Sequence, residues 1–248
     1  MLVGQTVAMI LAAFVGFSLG ALGSGGSIIT IPLLVYIAGI PPEIAVGMSL
    51  VIVGTTSLVG VLVHLRSGNV ALKPSLLFAV TGTIGSFIGA SATHLVSRNS
   101  LMFLFASIMM LVGIRMWRSP KVPERGIYDP LRCLSIGLVV GLLTGFLGVG
   151  GGFLIVPSLV LFAGLDSRMA AGTSLAVITL NSATGIIGQL GFTTFNWYLI
   201  GGFLVFALAG MLIGTTLANR LAEYVLRRLF ATAVLALAMV IAVGNLLG

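Results

Sequence analysis

Apolar residues in this chain come in long runs interrupted by short clusters of charge, Pro and Gly, and that spacing predicts ten helical segments. The first five cover roughly 3–21, 27–40, 44–65, 71–95 and 99–117, and the second five roughly 131–147, 152–165, 169–190, 197–218 and 226–247. Most are long enough to cross a hydrocarbon layer of about 30 Å, which takes about 20 helical residues. The second and seventh are not: about 14 residues rise only about 21 Å. Each therefore begins or ends inside the membrane. Irregular backbone is tolerated at that depth only where it is buried in protein or lines a cavity. The Gly-rich stretches just before the two short segments are the candidates for such breaks, which makes the expected fold an all-α polytopic membrane protein with two broken helices.

Composition agrees with lipid as the main solvent. Of 248 residues, 58% are hydrophobic and 7% charged, and the mean hydropathy is +1.23. Soluble proteins carry about 25% charged residues, so a soluble domain is excluded. Twelve Lys and Arg against five Asp and Glu give a net charge of +7. The basic residues sit at the ends of apolar runs, and no basic stripe interleaved with aromatics occurs, so nucleic acid is not the expected partner. Cys133 is the single cysteine and no Cys/His cluster has metal-ligand spacing, so neither a disulfide, a metal nor a cofactor is expected. The first residues, Met1 to Gln5, lack the basic region of a signal peptide, and the run beyond them reads as a retained first helix.

The basic residues also report topology. With ten crossings, one side receives Arg66, Lys73, Arg115, Arg118, Lys121, Arg125, Arg132, Arg168, Arg220, Arg227 and Arg228, and the other only Arg98. If segments two and seven turn back instead, the split becomes seven to five, which is no bias. The positive-inside rule therefore selects ten crossings with both termini outside. Trp117 and Trp197 fall at segment ends, where interfacial anchors belong.

Displaced by 125 residues, the chain matches itself. Gly20 to Ser27 aligns with Gly145 to Gly152, Pro32 with Pro157, Ala38-Gly39 with Ala163-Gly164, Ser49-Leu50 with Ser174-Leu175, Ser57 with Ser182 and Gly60 with Gly185. Further on, Gly85 meets Gly210, Ile88-Gly89 meets Ile213-Gly214, and Leu104-Phe105-Ala106 meets Leu229-Phe230-Ala231. The expected organisation is a first membrane repeat over 1–117, a cytoplasmic linker over 118–130 and a second repeat over 131–248. Five crossings is an odd number, so the second repeat starts on the opposite side and is inverted. Inverted repeats with broken helices are a construction of secondary transporters, although an architecture by itself is not a function.

The breaks are Gly23-Ser24-Gly25-Gly26-Ser27 and Gly148-Val149-Gly150-Gly151-Gly152. Glycine admits positive φ and leaves its backbone N–H open to approach. The first turn of a helix offers unpaired N–H donors and a partial positive charge, which together favour an anion. Two such ends facing each other would make a cradle of neutral donors, with Ser24 and Ser27 adding hydroxyls. Close helix packing is the competing explanation for the glycines, and it suits Gly85, Gly89, Gly210 and Gly214. It does not call for a dense cluster followed by a truncated helix. Pro32 and Pro157 either start the short helices or interrupt them.

The pattern Gly-x-Gly-Gly-[Gly/Ser]-x4-Pro-x-Leu, present at Gly23 to Leu34 and again at Gly148 to Leu159, resembles the TauE/SafE sulfite exporter family of membrane transporters. Gly172-Thr173-Ser174-Leu175 and its counterpart Gly47-Met48-Ser49-Leu50 resemble that family's second signature, as does His64 followed by Gly68-Asn69-Val70. The resemblance implies export or uptake of small sulfur-containing anions such as sulfite, thiosulfate or organosulfonates, including sulfoacetate, across a bacterial inner membrane. Met48 and Ser27 depart from the pattern in the first half.

Among the remaining polar groups at depth, most hydroxyls are expected to bond a carbonyl one turn back. Ser49 and Ser174 stand out because they recur at the repeat offset, with Thr173 beside the second of them. Asn181 is the boldest candidate, since a primary amide in lipid needs partners and can donate to a sulfonate oxygen. His64, aligned with Gln189 near the ends of segments three and eight, is a candidate proton relay or gate. All five carboxylates, Glu43, Glu124, Asp129, Asp166 and Glu223, fall in connections or at helix ends. No nucleophile motif of an enzyme is present. The expected function is secondary transport of a small anion. An anion channel of the same architecture and a non-transporting membrane subunit are the alternatives, and the oligomeric state is open.

Overall fold

The computed structural model describes residues 2–23, 26–92, 98–118, 130–147, 152–161, 163–189, 196–222 and, within 224–239, all but 227, 230, 233 and 237. Among these residues the regular structure is helical, with no strand. The helices are α1 (Leu2–Leu22), α2 (Gly26–Pro32), α3 (Pro42–Arg66), α4 (Leu72–Ala92), α5 (Arg98–Arg118), α6 (Pro130–Leu147), α7 (Gly152–Leu161), α8 (Ser167–Gln189) and α9 (Trp197–Arg220). Further helical residues lie between Tyr224 and Met239. Four of the helices contain stretches long and apolar enough to cross a membrane: Gln5–Leu22, Ile44–Arg66, Ser167–Ile187 and Trp197–Arg220. Large apolar side chains face outward, among them Phe14 at 71%, Phe87 at 78% and Val205 at 67% exposure, as lipid-facing side chains do.

Both short helices contain their proline instead of starting at it. In the first, α2 runs through Pro32 into a π-helical stretch over Leu33–Ile37, so loss of the proline N–H coincides with a change of hydrogen-bond register. The exit is built the same way twice. Ala38 N–H donates to the Leu33 carbonyl and Ile40 N–H to that of Leu34, while Ala163 and Leu165 donate to Ser158 and Leu159. These pairs differ by 125 residues throughout. Gly39 (φ +70°) and Gly164 (φ +66°) supply the left-handed residue at each exit.

The same offset governs helix packing. Helix α1 packs on α9, α4 on α6 and α3 on α8. A Cβ added to Gly16 would fall on the Ala207 carbonyl, and one added to Gly141 would fall on the carbonyl of Gly82. A Cβ on Gly210 would meet the Ala13 carbonyl, and one on Gly85 that of Leu138. Each second contact is the first displaced by 125, with the roles of the halves exchanged. These glycines let backbones touch where lipid gives no hydrophobic push between helices. Gly16 and Gly20 on α1 belong with the packing glycines foreseen at Gly85, Gly210 and Gly214.

Residue correspondences also give directions. Met9 lies against Gly202, Ala13 against Gly210 and Phe17 against Gly214, so α1 and α9 run parallel. Thr81 against Gly137 and Gly82 against Gly141 make α4 and α6 parallel too. Helices α3 and α8 are antiparallel: Leu50 lies against Gly185, Gly54 against Ser182, Gly60 against Leu175 and His64 against Gly172. Helix α5 is antiparallel to the C-terminal helical residues, with Gly113 against Ala231 and Leu235 and Trp117 under Arg228.

Candidate functional site

Of the expected site residues, Gly23, His64, Thr173 and Ser174 lie around the turn of α8 from Ala171 to Ser174. Helix α1 ends in Gly23, whose φ of +77° turns the chain out of the helix. A Cβ there would lie 2.7 Å from the Ala171 Cβ, so Gly23 is required both by its backbone angle and by the closeness of α8. The Ser174 hydroxyl is 2.8 Å from the Gly23 carbonyl and 2.7 Å from that of Ala171, and donates between them. Thr215 of α9 donates to the Gly20 carbonyl at 3.4 Å. Hydroxyls of the second half thus hold the last carbonyls of α1, where the helix runs out of its own donors. Sequence reasoning missed Thr215, whose only signal is a polar residue directly after Gly214 in an apolar run.

On the other side of the same turn sits His64, at 2% exposure. A Cβ on Gly172 would lie 2.9 Å from the His64 Cβ and would also fall on the Asn69 carbonyl. Neither imidazole nitrogen has a hydrogen-bond partner among the described residues. Thr173 accepts from the Ala71 N–H at 3.0 Å and so satisfies a donor at the start of α4. Its repeat counterpart, Met48, has no hydroxyl. Helix α9 is capped instead from its own chain by Asn196, whose side chain accepts from the Leu199 N–H at 3.2 Å. The departure from the family pattern at Met48 is thus matched by a cap elsewhere.

Ser49 donates to the Val46 carbonyl at 2.8 Å and Thr56 to that of Ile52 at 2.7 Å, the bond one turn back expected of hydroxyls in lipid. The Ser57 hydroxyl, at the crossing of α3 and α8, is buried with no partner among the described residues. Asn181 accepts from the Thr83 hydroxyl of α4 at 3.1 Å, about 10 Å along α8 from Ser174. Ser49 and Ser174 do not converge. Leu50, next to Ser49, is level with Gly185, which is roughly 16 Å beyond Ser174 on α8.

Gly26 is the buried first residue of α2, and a Cβ on it would meet Leu19 Cγ at 2.6 Å. Ser27 and Gly152 lie in the first turns of α2 and α7, and Gln189 is the last residue of α8. Helix α2 packs on α7, so the two short helices meet. Ser24, Gly25, Gly148, Val149, Gly150 and Gly151 lie outside the described residues. Among the described residues, no group of three or more His, Cys, Asp or Glu is placed to hold a metal ion.

Residues 8–241 match the family model described as "Sulfite exporter TauE/SafE". A probable membrane transporter protein of Xylella fastidiosa is 35% identical over 237 residues, covering 91% of this chain and 90% of the relative. The probable membrane transporter protein YdhB of Bacillus subtilis is 30% identical over 219 residues, 86% of this chain and 89% of that protein. A probable membrane transporter protein of Methanocaldococcus jannaschii is 32% identical over 206 residues, covering 77% and 76%. No solved structure matches the chain. A family match over residues 8–241, with a relative 35% identical across about nine-tenths of both chains, makes this chain a member of the TauE/SafE family of membrane transporters.

Proposed function

We propose that the protein is a secondary transporter of small sulfur-containing oxyanions, such as sulfite, sulfoacetate or thiosulfate, and has no enzymatic activity. It works in a bacterial inner membrane as two inverted five-helix repeats with both termini periplasmic. The helix directions support the inversion. If segments two and seven both turned back, α3 and α8 would run parallel. If only one did, α1 and α9 would run antiparallel. Two complete crossings fit both the parallel α1 and α9 and the antiparallel α3 and α8.

The observation that carries the anion reading is the Gly23 turn, held by Ser174 three residues before α2 begins at Gly26. Ser174 is seven residues, about 10 Å, inside the start of α8. The first N–H donors of α2 have no carbonyl partners within the helix, and in a low-dielectric setting they favour negative charge. The two electropositive ends, one from each half, together form a cradle at the midplane that binds the anion. An anion held there by neutral donors is released when the halves rock about the α3/α8 crossing. His64, shut against Gly172 in this state, is proposed as part of the gate on its side.

The test is flux of sulfite and sulfoacetate into vesicles carrying Gly25→Val or Gly150→Val. A tenfold or greater loss in both is expected, with ligand-induced thermal stabilisation by these anions in the parent protein. Unchanged flux in both variants, or stabilisation by cations or neutral solutes alone, overturns the reading.

A further inference from the structure

Among the described residues, one face of α5 is left open. The stripe beside it, at Gly113 and Trp117, packs against the C-terminal helical residues. The open face forms a groove of about 840 Å³ lined by Phe103, Met110, Leu111 and Ile114 and closed at one end by Arg115 and Arg118. From Phe103 to Arg118 is fifteen residues, about 22 Å. Half a hydrocarbon core is about 15 Å, so the groove accompanies an acyl chain through a whole leaflet. Among the described residues no carboxylate pairs with either arginine, and Arg228 lies 5.6 Å over the Trp117 ring at the same end.

We infer that this groove is a binding site for one anionic phospholipid, its headgroup phosphate on Arg115 and Arg118 and one acyl chain along Phe103 to Ile114. The guanidinium fork matches phosphate oxygens two at a time. By the positive-inside count this end faces the cytoplasm, where anionic lipid and juxtamembrane basic residues meet. Charge decides against a second copy of the chain as the occupant. Two copies in one membrane relate by an axis along its normal, so their α5 helices would pack parallel. Arg115 and Arg118 of each would then face the same pair on the other, four like charges with no counterion.

Native mass spectrometry of the full chain in detergent, with equimolar phosphatidylglycerol and phosphatidylcholine, tests the site. The parent protein is expected to retain one phosphatidylglycerol per chain in about tenfold preference. Arg115→Gln/Arg118→Gln removes that preference and the single Arg118→Gln reduces it, while Arg220→Gln, on the same side but off the groove, keeps it. Folding of each variant is read from protection of the buried Cys133. Equal retention of the two lipids by the parent, equal losses in Arg220→Gln and Arg118→Gln, or a lipid-free dimer lost on Leu111→Arg would overturn the proposal.

Discussion

Replacing Gly16 by Ala adds one methyl group where the Ala207 carbonyl of α9 already lies against the α1 backbone. Real Cβ atoms do not come within 3.0 Å of such a neighbour, and here the neighbour is backbone that cannot rotate away. The helices must separate, and the Gly210–Ala13 and Gly214–Phe17 contacts on the same seam open with them. Overpacking of this kind costs about 1–3 kcal/mol, partly offset by the better helix propensity of Ala, worth up to about 1 kcal/mol. A net loss of about 1–2 kcal/mol lowers the unfolding midpoint by about 2–8 °C for a chain of this size. The repeat then makes a sharper statement: Gly141→Ala strikes the Gly82 carbonyl in the equivalent seam of α4 and α6, so it should cost a similar amount. The two seams share no residue, so the double variant should add. Gly201→Ala is the internal control, since nothing lies within 4 Å of its added Cβ. Cys133 is the only cysteine and is buried on α6, so a fluorogenic maleimide reports unfolding with no engineered probe. A parental midpoint in Gly16→Ala, or an equal loss in Gly201→Ala, would refute the packing argument. A loss at Gly16 without one at Gly141 would refute the equivalence of the halves.

Other consequences follow from single contacts. Ser174→Ala leaves the buried Gly23 carbonyl without its donor, a cost of about 1–3 kcal/mol, and should lower both the Cys133 unfolding midpoint and anion flux; a variant indistinguishable in both removes Ser174 as the anchor of the turn. Gly39→Ala meets no neighbour but must hold φ near +70°, so it should lose about 1 kcal/mol through backbone strain alone, read as a lower midpoint. In a Cys133→Ser background, Gly54→Cys and Ser182→Cys should oxidise to an internal disulfide, because the Gly54 Cβ position lies 2.7 Å from the Ser182 Cβ and small easing of the helices brings it into bonding range. After cleavage at a protease site inserted in 119–129, the halves should stay joined on a non-reducing gel; separated halves would count against the antiparallel α3/α8 pair.

Much of this was legible in the chain itself. Apolar runs set the helices because lipid forces every backbone group to pair within its own segment, and the observed bounds of α1, α3, α5, α6 and α8 lie within two residues of those read from the runs, at both ends. Glycine and proline marked the breaks for the same reason, since each disturbs the hydrogen-bond ladder locally. The 125-residue offset needed no coordinates, because duplication preserves residue type at positions where backbones touch. Tertiary structure alone decided which helices pair and in which direction, since a small residue permits close approach without naming its partner. It alone assigned Ser174 to the Gly23 carbonyl and Thr173 to the start of α4, bonds that join residues 151 and 102 positions apart. It also separated Ser49 from Ser174, which sequence symmetry makes equivalent but an antiparallel crossing sets at opposite depths.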